Sequence, residues 1–218
     1  MVTGVIFDMD GLMFDTERIA MEAWSECLNQ AGYRFTEEEG RAIRGQNTAG
    51  IHNTLHSFYG PDIDCPLLHA QVRENMEKRF LHAPAPVKKG LYELIDWLQK
   101  NKIPMAVASS SRRATVEQRC GEAKILDKFD AIVCGDMVEH SKPNPDIFLK
   151  AASMLHSNPA QTIVLEDSFN GVRAGNAGGF ITIMVPDMDQ PTSEIKALYT
   201  AKASSLSEVC QRLENNEW

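Results

Sequence analysis

Acidic and hydroxyl residues recur just after the apolar runs of this chain. Asp8-Met9-Asp10 follows Val5-Ile6-Phe7, Ser109-Ser110-Ser111 follows Met105-Ala106-Val107-Ala108, and Glu166-Asp167-Ser168 follows Thr162-Ile163-Val164-Leu165. Lys142 stands in the segment after a further run, Ala131-Ile132-Val133-Cys134. Carboxylates gathered in one crevice repel each other unless they share a cation or shift their pKa values. Oxygen ligands of this kind suit Mg²⁺, which keeps several waters and leaves room for a substrate oxygen. A cation, a lysine and hydroxyl donors around one point fit a phosphoryl group, whose transfer depends on positioning and on neutralising its equatorial oxygens.

The elements that must position these residues are legible from periodicity. The runs are short, rich in Val and Ile and apolar on both faces, as buried parallel strands are, and Ile181-Thr182-Ile183-Met184-Val185 adds another. Helical patterns lie between them; Leu91, Leu94, Ile95 and Leu98 draw one apolar stripe. The alternation predicts an α/β fold with a doubly wound parallel sheet. In such sheets the ligand crevice lies beyond the carboxyl ends of the strands, where all four polar segments fall.

The alternation fails between Asp15 and about Pro86, where helix follows helix. Ile19, Ala23, Cys27 and Ala31 share a helix face that Gly32 can end, and Thr36-x-x-Glu39 is a capping-box signal. Ile51, Leu55 and Phe58, then Val72, Met76 and Phe80, continue the helical spacing. The expectation is an inserted four-helix cap over residues 16–86 and a core domain of residues 1–15 and 87–218. The segment after Asp15 and the Pro-rich His82-Ala83-Pro84-Ala85-Pro86 would be its two connectors. Asp15 itself could cap the first of these helices.

Bulk properties narrow the classes. The 218 residues carry a formal net charge of −8, with 43% hydrophobic and 24% charged residues. That charge disfavours nucleic acid, whose phosphates are bound by clustered Lys and Arg. No apolar run approaches the roughly 18 residues that cross a bilayer. Five scattered cysteines without a CxxC pair predict reduced thiols. The apolar start is interrupted by Asp8 and Asp10, unlike a signal peptide, so the reading is a cytoplasmic protein, monomeric by default. His52 and His56 are spaced i, i+4 but lack the glutamate of a zinc HExxH helix, and Gly171, Gly175, Gly178 and Gly179 match no phosphate-binding loop. The glycines read as close helix packing and a helix stop.

Asp8-Met9-Asp10-Gly11 with Asp15, then Ser109, Lys142-Pro143 and Glu166-Asp167, appear in that order between residues 8 and 167. In this the chain resembles the haloacid dehalogenase-like hydrolases, in the branch of beta-phosphoglucomutases and sugar-phosphate phosphatases. The resemblance implies that Asp8 is the nucleophile and forms an aspartyl-phosphate, and that Asp10 is the acid and base. It implies that Ser109 and Lys142 hold the phosphoryl oxygens. Asp8, Asp167 and the backbone carbonyl of Asp10 would bind Mg²⁺, with Glu166 close behind. Ser110 and, in the cap, Trp24, Arg44 and Gly45 are candidate substrate contacts, although a Trp at such spacing is more often core.

An acid two residues after the nucleophile accompanies ester chemistry in that family, so a phosphatase of a small phosphorylated metabolite is expected. A phosphosugar mutase is the alternative. The mutases resembled here carry a His where this chain has Ala20, an Arg where it reads Gln46-Asn47-Thr48, and Lys-Asn where it has Arg112-Arg113. A receiver-like phospho-accepting domain is a more remote reading. Its accepting Asp follows the third strand, where this chain has Asp136 alone, and it has no helical cap.

Overall fold

The computed structural model describes residues 2–80 and 84–218; of the second connector, His82 and Ala83 lie outside the described residues. Six parallel strands form one sheet in the order β3-β2-β1-β4-β5-β6: β1 (Gly4–Phe7), β2 (Met105–Ser109), β3 (Ala131–Cys134), β4 (Thr162–Glu166), β5 (Ile181–Met184) and β6 (Ala201–Lys202). Five of these match the apolar runs. The sixth has two residues with one half-buried and one exposed, too little pattern to read in advance.

Successive side chains of a strand point to opposite faces, so each buried strand feeds two cores. Val5, Phe7, Val107 and Leu165 meet α5 (Leu91–Lys100), α6 (Arg113–Glu122) and α10 (Leu206–Glu214) on one face. Ile6, Ala106, Ala108 and Val164 meet α7 (Asp146–Met154) and α8 (Phe169–Ala177) on the other, where Ile195 of the short α9 (Ser193–Lys196) packs against α8. From β1 the chain winds one way to β2 and β3, then returns to β4 and winds the other way. The switch point therefore lies between β1 and β4, and Phe7 paired with Leu165 puts Asp8 level with Glu166 there.

Of the five helices described between β1 and β2, the first four precede the second connector: α1 (Glu17–Gln30), α2 (Glu37–Ile43), α3 (Thr48–Tyr59) and α4 (Cys65–Phe80). They enclose a core of their own, with Ala23, Trp24, Leu28, Ile43, Leu55, Leu68 and Val72 buried. Thr36 and Glu39 form the expected capping box, the Thr36 N–H donating to Glu39 Oε2 at 2.8 Å. Gly32, at φ 86°, follows the end of α1. The seam is rotated from the expected one. Ala31 lies beyond the helix and is exposed, and Phe58 is exposed, while Trp24 and Leu28 turn inward. The connectors run side by side, with Phe14 bridged to Val87 and the Asp15 N–H donating to Pro86 O at 2.8 Å. Thr16, not Asp15, stands at the N-cap position of α1, without a side-chain capping hydrogen bond. Instead the Asp15 carboxylate lies 3.3 Å from Arg18 and 3.6 Å from Lys88. No helix among the described residues is long and apolar enough to cross a membrane.

Candidate active site

The carboxyl edge of the sheet is built around a fully buried ammonium. Lys142 Nζ lies 2.5 Å from Asp8 Oδ1 and 2.5 Å from Glu166 Oε1, over the ring of Phe148 at 4.7 Å. Burial alone would strip its proton, but the two carboxylates outweigh that and raise its pKa. Glu166 is held from both sides, since its Oε2 accepts from the N–H and Oγ of Ser168, each at 3.0 Å. Ser168 opens α8, and its Oγ accepts from Gly171 N–H. A side chain at Gly171 would overlap the Glu166 carboxylate, which is the close packing expected there, while Gly179, at φ 75° past the end of α8, has open space around it and fits the expected helix stop. Gly175, where a side chain would meet Thr182, is close-packed like Gly171.

Asp8, Glu166 and Asp167 offer oxygens that all lie within 4.8 Å of one another. Three carboxylates and one ammonium leave two uncompensated charges. Burial raises the Asp8 carboxyl to about 8 despite Lys142, and burial with Glu166 and Asp8 nearby raises Asp167 well above the usual carboxylate range. Asp167 Oδ1 is buried and has no hydrogen-bond partner among the described residues. An orphaned buried acceptor in such a cluster is unfavourable unless something fills it, and a divalent cation supplies both the charge and the missing partner. The residues therefore fit Mg²⁺, with Asp167 free to ligate and Glu166, its oxygens already engaged, behind it. Gly11, at φ 85°, leaves room for Asp167, because a Cβ there would overlap its carboxylate.

Asp10 stands apart from this cluster. Its Oδ1 accepts from Thr16 Oγ1 at 2.7 Å and from Arg119, and its Oδ2 accepts from Ser111 Oγ at 2.8 Å. Its carboxylate is thus engaged by three donors and is not among the oxygens that gather at Asp8, Glu166 and Asp167. Ser109 is buried, and its Oγ accepts from Ser111 N–H at 3.1 Å.

The cap loop is docked on the core. Ser110 Oγ donates to Gly45 O at 2.8 Å, Asn170 Nδ2 to Arg44 O at 2.8 Å, and Asn47 Nδ2 to Gly135 O at 3.3 Å. Gly45 takes φ 75° against Ser168, a backbone conformation that disfavours any side chain. The Arg44 guanidinium is buried and paired with Asp189. Trp24 is packed inside the cap, edge-on to His69 at 5.3 Å between ring centroids. Of the proposed contacts, the structure thus brings Asp8, Asp10, Ser109, Lys142, Glu166 and Asp167 to one edge. Ser110, Arg44 and Gly45 serve the seam between cap and core, and Trp24 is core. Sequence reasoning missed Glu17, whose carboxyl is raised to about 8 by burial and by Asp10 beside it, as well as Thr16 and Arg119. A Thr and a Glu directly after Asp15 carried a faint positional signal; Arg119, well inside α6, carried none.

A family profile described as haloacid dehalogenase-like hydrolase matches residues 5–185. The chain belongs to that family. It is 32% identical over 184 residues to the fructose-1-phosphate phosphatase YqaB of Escherichia coli, covering 84% of this chain and 95% of that one. It is 29% identical over 187 residues to the beta-phosphoglucomutase of Bacillus subtilis, covering 83% and 82%. The solved structure of CbbY from Rhodobacter sphaeroides in complex with xylulose 1,5-bisphosphate superposes with a TM-score of 0.81 at 25% identity, over 95% of this chain and 96% of that one. The family and its phosphatase members make the chain an enzyme of the phosphoric monoester hydrolase class.

Proposed function

We propose that the protein is a magnesium-dependent phosphatase that hydrolyses a small phosphorylated metabolite, a sugar phosphate or similar ester, through an aspartyl-phosphate on Asp8. The observation that carries this reading is the buried Lys142 ammonium bridging Asp8 and Glu166 beside the orphaned oxygen of Asp167. It marks a place where negative charge is concentrated and only partly neutralised, as a site awaiting a cation and a phosphoryl group requires.

In the first half-reaction an Asp8 oxygen attacks phosphorus and the bond to the ester oxygen breaks. Asp10 gives that oxygen its proton. In the second, water attacks the aspartyl-phosphate, Asp10 takes the water's proton, and Asp8 and inorganic phosphate are released. Ser109 and Lys142 hold the phosphoryl oxygens, with Lys142 also screening Asp8 from Glu166. Asp8, Asp167 and the Asp10 carbonyl would hold Mg²⁺, which when bound would supply neutralising charge to the phosphoryl oxygens. Residues 16–86 act as a cap that must lift to admit substrate, hinged at the paired connectors. Five buried free thiols fit a reducing compartment, and the reading is of a cytoplasmic monomer.

Hydrolysis is preferred to mutase chemistry because a mutase must grip a distal phosphate with a cap cation. Gln46, Asn47, Thr48 and Ala49 offer no charge, and Arg44 is taken by Asp189. A magnesium-dependent screen of sugar, nucleotide and polyol phosphates identifies esters that turn over. Beta-glucose 1-phosphate with a trace of glucose 1,6-bisphosphate then separates the two chemistries. Free phosphate should dominate, be unaffected by the bisphosphate, vanish with excess chelator and fall with Ca²⁺, which takes more ligands at longer distance. Rapid isomerisation to glucose 6-phosphate with little phosphate released would make the enzyme a mutase, and full activity in chelator would reject the metal.

A further inference from the structure

The Asp10 carboxylate is held by donors from three separate pieces of chain. Thr16 belongs to the first connector, Ser111 to the loop after β2, and Arg119 to α6. Arg119 is the unusual member. On α6 the residues that face the core are Val116 and Cys120, and Arg119, next to Cys120, lies at the margin of that buried face. Its side chain is only 11% exposed, and a guanidinium so far from water needs a specific partner. It has two: Asp10 Oδ1, and the face of Phe80, whose ring centroid is 5.4 Å away. Phe80 is the last residue of α4 and packs against the core domain's hydrophobic cluster. A planar guanidinium suits this double engagement, stacking on the ring while aiming an N–H at the carboxylate, in a way an ammonium does not.

We infer that Arg119 is a positioning residue, which through its contacts with Asp10 and Phe80 holds the acid–base carboxylate in line with the ester oxygen. The inference rests on the assignment of Asp10 as acid and base. An aspartate side chain can swing about two torsions, and proton transfer requires it within hydrogen-bond reach of the leaving oxygen. Thr16 and Ser111 are short hydroxyls that can turn to other partners. Arg119, wedged between Phe80 and Asp10, has one place to go. Because Thr16 and Phe80 belong to the two ends of the cap, the grip on Asp10 also couples its orientation to the seating of the cap.

The test is the single-turnover rate of ester cleavage in Arg119→Met, which keeps an unbranched stem against Phe80 and removes the donor. Two substrates are compared, an alkyl phosphate that needs a proton on its leaving group and p-nitrophenyl phosphate, which does not. The alkyl rate should fall by about ten- to a hundredfold, the scale of loss from a misplaced group, with KM little changed and the aryl rate nearly preserved. Arg119→Lys should recover part of the alkyl rate. A residue that merely supports the fold would lower both rates together through the folded fraction, so equal losses, or none, overturn the inference. Asp10→Asn run beside it keeps the two claims apart. An unequal pattern in Asp10→Asn with equal losses in Arg119→Met defeats the role of Arg119 alone. Equal losses in Asp10→Asn defeat the acid–base assignment and this inference with it.

Discussion

At the scale of residues, the centre of the molecule is an ammonium that cannot be removed quietly. Truncating one partner of a buried charge cluster leaves the others uncompensated, at a cost of about 3–5 kcal/mol. Lys142→Met should therefore lose about that much in urea unfolding. Adding Glu166→Gln removes one of the stranded charges, so the double variant should be more stable than Lys142→Met alone. Losses that simply add would show that Lys142 and Glu166 do not act as one unit. Asp8, Lys142 and Glu166 were legible beforehand because each lies at or beyond the carboxyl end of a strand, and the carboxyl ends of parallel strands must meet. Arg119 and Asp189 were not. Their roles arise from contacts with Asp10 and Arg44, 109 and 145 residues away in sequence, and neither the 3.6-residue period of a helix nor the composition of a loop encodes such a meeting.

Among the elements, the cap helices show how burial sets protonation. His69 on α4 lies between Trp24 and His52, each 5.3 Å away between ring centroids, and Arg73 and Arg112 add repulsion. Burial, then these neighbours, pull its pKa from 6.5 to about 4; burial and His56 lower that of His52. The unfolded chain takes up the His69 proton below about 6.5, whereas the fold resists until about 4. The contribution of neutral His69 is thus fully present above 6.5 and is lost as the pH falls towards 4. Carboxylates titrate in part of the same range, so the readout is a difference. Thermal midpoints should fall further between pH 7 and 4.5 in the wild type than in His69→Gln, and parallel curves would contradict the assignment. The i, i+4 pair His52 and His56 was read from sequence as lacking a zinc motif; His52 packs beside His69, and His56 Nε2 lies 3.3 Å from Ile63 O. The existence of four helices was legible from their spacing. The rotation of the seam that exposes Ala31 and buries Trp24 was not, because it depends on how each helix meets its neighbours.

Over the whole molecule, the order of strands decides where chemistry can occur. Alternation of strand and helix predicted a doubly wound sheet, but not that β1 would lie between β2 and β4, the arrangement that sets Asp8 beside Glu166. The contact between the inserted helices and the core is likewise a property of the assembled molecule. Arg41 and Arg44 of the cap reach Asp189 of the core, and Ser110 Oγ of the core donates to Gly45 O of the cap. The proposed chemistry rests on one covalent intermediate, with Asp8 carrying the phosphoryl group during turnover. Acid quenching of an Asp10→Asn variant turning over p-nitrophenyl phosphate should catch the intermediate, because its hydrolysis lacks the base that activates water. Borohydride reduces an acyl phosphate to the alcohol, so peptide mapping should find homoserine at position 8 and nowhere else. Reduction at another carboxylate, or an unmodified Asp8 in an enzyme that is demonstrably cleaving ester, would contradict the mechanism.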